Sequence, residues 1–148
     1  MKTLLAVTML AILLVSCASF TKEDEKYAGL VKLYLAEFGQ LQNDLNTYVA
    51  KTMGNPGLLK VDEAFRKEFR TCVMSLWSLL GKMTDLKPGK ATKDAHRILI
   101  AASEQYQAYF TEILYALDDW TPNMTTRLGK LSQDANTTFN TYVARIPN

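Results

Sequence analysis

The chain has 148 residues, of which 22% are charged and 48% hydrophobic, and its formal net charge is +2 at pH 7. This length is typical of one domain, and the composition is that of a globular protein, which argues against intrinsic disorder. A charge so close to zero, with basic and acidic residues interspersed, argues against a nucleic-acid binder, because such proteins need a clustered basic face to neutralise phosphates.

The first sixteen residues, 1–16, have the character of an export signal. Lys2 supplies a positive charge, and residues 3–15 form a continuous apolar run. A helix of that length spans only about 20 Å at 1.5 Å per residue, which is too short for a hydrocarbon core of about 30 Å. The segment is therefore predicted to be a signal peptide that is removed on export.

The predicted signal peptide runs into the sequence Leu14-Val15-Ser16-Cys17. These four residues resemble the lipobox of bacterial lipoproteins. The resemblance implies cleavage before Cys17 and attachment of diacylglycerol to the Cys17 sulfur, and two or more acyl chains anchor a protein stably where one does not. It therefore implies a lipoprotein of the cell membrane or of an outer membrane, and it carries no information about the fold downstream.

Other fates of the N-terminus stay open on the sequence alone. Ser16 and Ala18 satisfy a small-x-small rule, which allows ordinary cleavage after Ala18 and free secretion of the mature protein. An uncleaved apolar segment would instead be retained as an anchor. In the favoured interpretation, residues 17–22 are a short tether, and a folded domain follows over residues 23–148.

Four segments of the mature chain show the apolar periodicity of amphipathic helices. They span about residues 23–53, 60–86, 92–119 and 121–146. Turns that contain Pro and Gly, at residues 55–57 and 87–89, separate the first three, because Gly and Pro do not continue a helix. Thr121, a cap residue, and Pro122 at the first helical position begin the fourth.

Within each helix the apolar residues recur at spacings of three and four, which keeps one stripe facing the neighbouring helices. The stripes of the first two helices are Tyr27, Val31, Tyr34, Phe38, Leu41, Leu45 and Tyr48, then Phe65, Phe69, Cys72, Leu76, Leu79, Met83 and Leu86. Those of the last two are Ala95, Leu99, Ala102, Tyr106, Tyr109, Ile113, Ala116 and Trp120, then Met124, Leu128, Leu131, Ala135, Phe139, Tyr142 and Ile146. Short connections favour antiparallel neighbours, so the predicted fold is all-α, an up-down-up-down antiparallel four-helix bundle.

The residues that hold the usual cofactors of helical bundles are missing from the sequence. His96 is the one histidine, which excludes the paired Glu-x-x-His of di-iron bundles, and no Cys-x-x-Cys-His motif for covalent haem occurs. No Gly-rich phosphate loop and no nucleophile–base arrangement is legible. We therefore predict no catalytic residue, no metal, no cofactor and no enzymatic activity.

Two side chains with intrinsic reactivity are predicted to have structural positions. His96 lies beside the apolar row of the third helix and is predicted to be a surface residue. Cys72 lies within the stripe of the second helix and is predicted to be a small buried side chain.

Aromatic residues are the remaining signal, with seven Tyr, six Phe and two Trp. This is more than a Leu-based core needs, and three uses stay open: core packing, a protein interface, or a pocket for an apolar ligand. Trp77, next to the core row, and Trp120, at a predicted turn, are the candidate contacts with a protein partner.

These features favour a membrane-tethered helical bundle with a binding or structural accessory role at the cell envelope. Its expected partners are the membrane, through lipid on Cys17, and an envelope protein. The alternative is an exported carrier of a small apolar or lipid ligand, which should contain an enclosed cavity of about 300 Å³ or more. An interaction subunit should instead expose an apolar patch of roughly several hundred Å².

Overall fold

A computed structural model describes residues 20–147, and the predicted signal peptide and Cys17 lie outside these residues. The described chain forms five α-helices and no β-strand, so the prediction of an all-helical fold is confirmed. The helices are α1 (Lys22–Gly54), α2 (Leu58–Val61), α3 (Glu63–Thr84), α4 (Lys93–Ala116) and α5 (Pro122–Val143). Over residues 20–147, none of them combines the length and the hydropathy that a membrane-spanning helix requires.

Side chains satisfy free N–H groups in the first turns of α1 and α3. Thr21 precedes α1 in a capping box: its hydroxyl accepts from the Asp24 N–H at 3.2 Å, and the Asp24 carboxylate accepts from the Thr21 N–H at 3.1 Å. Pro122 begins α5, where its missing N–H costs nothing. Thr21 and Pro122 therefore mark the starts of α1 and α5.

The second predicted helix differs from the observed structure. It was expected to run unbroken over residues 60–86, whereas a one-turn helix, α2, precedes Asp62 and α3 follows it. Asp62 has an extended backbone (φ −116°, ψ 93°), and its side chain accepts from the Phe65 N–H at 2.9 Å. Asp62 is therefore an N-cap that ends one helix and begins the next.

The apolar stripes meet in one core. Phe38, Leu45, Phe69 and Leu79 are each at most 2% exposed. Every stripe residue predicted from the periodicity is buried or half-buried in the structure. The core therefore draws on all four long helices, as the alternating spacing indicates.

Aromatic rings connect α1 to the other long helices. Tyr48 of α1 stacks on Phe69 of α3 with ring centroids 5.3 Å apart. Phe38 of α1 meets Tyr106 of α4 edge-on at 5.3 Å and Phe139 of α5 at 4.6 Å. Large side chains thus fill the space along the whole inner face of α1.

Two groups of residues define the ends of the helices. The Asp24 end is the end formed by the first two turns of α1, residues 84–96 and the last turn of α5, because side chains from these segments contact one another. The Trp120 end is the end formed by residues 56–60 and 117–120, which line a common cleft.

Candidate functional site

Asp24 is a buried carboxylate, with none of its surface exposed. Its Oδ1 accepts hydrogen bonds from the Thr92 N–H and the Thr92 hydroxyl, both at 2.9 Å. Its Oδ2 accepts from the Thr21 hydroxyl at 2.7 Å and the Thr21 N–H at 3.1 Å. One side chain therefore joins the start of α1 to the segment that precedes α4.

The hydrogen bonds also decide the charge of Asp24. Burial alone would raise the pKa of this carboxyl, but the hydrogen bonds from Thr21 and Thr92 hold the pKa well below its ordinary value of 3.8. The group is a carboxylate at neutral pH, and four donors occupy the positions at which its oxygens accept. Such a carboxylate has no free face for a metal or a substrate, so its role is to hold the chain.

Gly89 shows how tightly the chain surrounds this carboxylate. A Cβ placed at Gly89 would overlap the carboxylate of Asp24. The segment between α3 and α4 can therefore lie against Asp24 only because residue 89 has no side chain.

A second buried polar cluster lies at the same end. The Tyr27 hydroxyl is 3.0 Å from Nδ1 of His96 and 3.3 Å from the Tyr142 hydroxyl. The cluster therefore joins α1, α4 and α5 through polar side chains that are each at most 8% exposed.

His96 corrects one of the sequence predictions. It was expected at the surface, but it is only 8% exposed. The ring of Tyr27 covers it edge-on, with centroids 5.5 Å apart. Burial lowers the pKa of His96, so the imidazole is neutral at pH 7.

A third polar cluster lies halfway along the helices. The Tyr106 hydroxyl donates to Oδ1 of Asn136 at 2.6 Å, and Nε2 of Gln42 donates to the same oxygen at 2.6 Å. Nδ2 of Asn136 donates to the Ser132 hydroxyl at 3.1 Å. Burial raises the pKa of Tyr106 to about 12, so it stays a neutral phenol. These directional bonds fix how far α1, α4 and α5 can slide past one another.

Cys72 is buried, as predicted, at 7% exposure. Its Sγ donates to the carbonyl of Leu41 at 3.4 Å. Burial raises the pKa of the Cys72 thiol to about 11, so it is protonated at neutral pH and is a poor nucleophile.

A groove of about 490 Å³ opens above Cys72, between α1 and α3. Leu41 and Tyr48 form part of its wall, and Asp44, Lys67 and Glu68 give it a charged rim. The Tyr48 hydroxyl donates to Glu68 at 3.4 Å, across the two helices. The groove is open to solvent, and it combines apolar and charged surface.

The two predicted protein contacts lie on different elements. Trp77, in α3, is half-buried with its ring centroid 6.3 Å from that of Phe110. Trp120, in the turn before α5, is half-buried and lines a cleft of about 130 Å³ with Leu59 and Leu117. Each tryptophan therefore packs partly on the core and keeps part of its surface accessible.

The most exposed large apolar side chains were not singled out from the sequence. Val61 is 82% exposed, and Leu33 and Tyr115 are each 69% exposed. All three lie outside the apolar stripes, and this position in the sequence pattern could have indicated their exposure. Val61, in α2, and Tyr115, in the last turn of α4, lie near the Trp120 end.

Neither metal-binding groups nor similarity to known proteins assigns a function to the residues described above. Within residues 20–147, no group of three or more His, Cys, Asp or Glu side chains could hold a metal ion. The sequence matches no protein-family model, no curated protein and no solved structure.

Proposed function

We propose that the chain is an exported protein that lipid on Cys17 holds at a membrane. Its helical domain has a binding or structural accessory role at the cell envelope. The observation that carries the proposal is the apolar segment that ends in the lipobox-like Leu14-Val15-Ser16-Cys17. It is supported by the position of Thr21, which already caps α1 only four residues after Cys17.

For the domain itself we infer an up-down-up-down antiparallel bundle of α1, α3, α4 and α5. The inference is supported by contacts between the end of one helix and the start of another. Tyr48, late in α1, stacks on Phe69, early in α3. Tyr27, early in α1, is 3.3 Å from Tyr142, in the last turn of α5, measured between the hydroxyls.

The short tether gives the domain an orientation. Thr21 comes four positions after Cys17, and even a fully extended chain spans no more than about 14 Å over that distance. The Asp24 end would therefore face the membrane, and the Trp120 end would face away from it. Trp77 and Trp120 are the proposed contacts with an envelope protein, and Tyr115 is a further exposed aromatic side chain, in the last turn of α4.

Metabolic labelling with an alkyne analogue of palmitate tests the lipid anchor. Wild type and Cys72→Ala should incorporate the label, because Cys72 is a buried thiol that no acyl donor can reach. Cys17→Ala should incorporate none. Label on Cys17→Ala, or none on the wild type, would contradict the proposal.

The volume of one groove favours the alternative, a carrier of a small apolar or lipid ligand. The groove between α1 and α3 is open to solvent and is not the enclosed cavity expected of a carrier, but its volume of about 490 Å³ is that of a small-ligand site, and Leu41 and Tyr48 form an apolar part of its wall. A carrier should bind a fluorescent fatty acid saturably, and Ala64→Trp in the groove should abolish this binding. Ala36→Trp, at an exposed position outside the groove, is the matched control. An accessory subunit should show no saturable binding in any of the three proteins.

A further inference from the structure

The connection between α3 and α4 carries a local excess of positive charge. Residues 82–93 contain four lysines and one acidic residue, Asp85. The lysines are Lys82, Lys87, Lys90 and Lys93, and all four are exposed. Residues 82–93 therefore carry a formal charge of +3, compared with +2 for the whole chain.

The Asp24 cluster fixes this lysine-bearing segment against the start of α1. Thr92 donates twice to the Asp24 carboxylate at 2.9 Å, and Gly89 lies directly against the same group. Lys87 lines a cleft of about 320 Å³ together with Lys26, from the second turn of α1. The lysines therefore lie beside Thr21, where the tether enters the domain.

Acidic side chains at this end offset only part of the positive charge. Glu23, Glu25, Asp85 and Asp94 are exposed there. The Asp94 carboxylate is 3.3 Å from the Arg97 guanidinium, so Asp94 forms its ion pair with Arg97 and not with a lysine. Across residues 22–28, 82–97 and 142–147 there are eight Lys and Arg residues and five Asp and Glu residues, the buried Asp24 included, so basic groups outnumber acidic ones there.

We propose that Lys87, Lys90 and Lys93 form a lysine face that docks on anionic, phosphate-bearing lipid headgroups of the membrane. The inference rests on the proposed lipid anchor, which keeps Thr21 within about 14 Å of Cys17. This reach is an upper limit, so lysines beside Thr21 can approach the headgroups to within the screening length of about 8–10 Å at physiological salt. Each lysine at an anionic surface strengthens attachment by about fivefold, and three of them set the orientation of the tethered domain.

Lysine footprinting of the native protein tests this face. The protein is reconstituted on vesicles of phosphatidylcholine alone or mixed with phosphatidylglycerol, and it is acetylated at low extent before mass spectrometry. Lys87, Lys90 and Lys93 should react at least about threefold more slowly on the anionic vesicles, and 1 M salt should remove the difference. Lys51, Lys60 and Lys67, on the helix turns toward the other end, should react equally on both.

A matched pair of variants separates the lysine face from general charge. In Lys87→Gln/Lys90→Gln/Lys93→Gln, Lys26 should lose its protection on anionic vesicles. In Lys51→Gln/Lys60→Gln/Lys67→Gln, which removes the same charge elsewhere, Lys26 should keep it.

The outcomes distinguish this inference from the anchor on which it rests. A protein that fails to float with neutral vesicles contradicts the lipid anchor. A protein that floats, but whose Lys87, Lys90 and Lys93 react equally on both vesicles, overturns the lysine face alone. Protection spread equally over Lys51 and Lys60 overturns it as well, because the domain would then have no preferred orientation.

Discussion

Different interactions close the two ends of the helices. At the Asp24 end, buried polar groups join segments that are far apart in the chain. Asp24 holds Thr92, which lies 68 residues away, and Tyr27 meets His96 and Tyr142, at separations of 69 and 115 residues. Because hydrogen bonds have strict geometry, these contacts fix the position of each segment and not merely its burial.

At the Trp120 end, burial of apolar side chains has the corresponding role. Leu59 and Leu117 are 3% and 2% exposed. A polar pair nearby, Arg70 with Asp118 at 3.4 Å, has side chains that are 48% and 69% exposed. Exposed pairs contribute about 0–1 kcal/mol, so hydrophobic packing closes this end. The contrast indicates that hydrogen bonds specify the geometry of the Asp24 end, whereas the Trp120 end is held by apolar packing.

The largest effect is expected in the core that the two ends share. Leu76 is fully buried, so Leu76→Ala should lower the free energy of unfolding by about 2–5 kcal/mol, through lost burial and a residual cavity. Leu33→Ala, at a site 69% exposed, should change it by less than about 0.5 kcal/mol. Urea unfolding measures both. A loss below about 1 kcal/mol for Leu76→Ala would mean that the apolar stripe does not form the core.

Gly89→Ala tests the close packing around Asp24. The new methyl group would overlap the Asp24 carboxylate, and forcing such a group into a packed site costs about 1–3 kcal/mol. Gly129→Ala is the matched control, because a Cβ there meets nothing within 4 Å inside α5. It should stabilise the protein by up to about 1 kcal/mol, since Ala favours helix over Gly. Equal effects of the two substitutions in thermal unfolding would show that the Asp24 end is loosely packed.

Tyr27→Phe tests the second polar cluster. It would leave Nδ1 of His96 and the Tyr142 hydroxyl without their shared partner. Buried polar groups left unpaired cost about 1–3 kcal/mol, and we expect about 1–2 kcal/mol because the shape of the ring is kept. Tyr115→Phe removes the same hydroxyl from a side chain that is 69% exposed and should be neutral. If the two variants unfold alike, the cluster is not stabilising.

Acid should loosen the Asp24 end before the Trp120 end. Burial holds the pKa of His96 below 6.5 in the folded protein, so the unfolded chain binds the proton more readily and stability falls as the pH drops below about 6.5. The pKa of Asp24 is also lowered by folding, so its contribution is present above 3.8 and is lost as the pH falls further.

Amide exchange at pH 7, 5.5 and 3 measures this order. Protection factors, which correct for the slower intrinsic exchange in acid, should fall first around residues 92–96 and later near Trp120. His96→Gln should remove the change between pH 7 and 5.5 and leave the later one. Uniform exchange along all helices at every pH would contradict a weaker, acid-sensitive Asp24 end.

Most of the fold could be predicted from the apolar pattern. Phe38, Phe69, Tyr106 and Phe139 lie in stripes whose spacing predicts helices with one buried face, and all four are buried. Helix ends were predictable within a few residues, because Pro, Gly and capping residues act locally. The break at Asp62 was missed, since an N-cap inside an otherwise helical pattern leaves the periodicity intact.

The polar clusters could not be predicted in the same way. The sequence near Asp24 indicates a local cap with Thr21, but the second partner, Thr92, comes from another helix connection. His96 was wrongly expected at the surface, because the flank of α4 is covered by Tyr27 from α1. Such contacts depend on how the helices are placed against one another, and the spacing of apolar residues along the sequence does not determine that placement.

The most direct test of the proposed tether is the mass of the N-terminal peptide of the native protein. The peptide should begin at Cys17, and its mass should include diacylglycerol on the Cys17 sulfur. Thr21, at the Asp24 end, follows four positions later. An unmodified peptide that begins at Ser19 would contradict it, because the helices would then be free of any membrane and the lysine face would have no surface to meet.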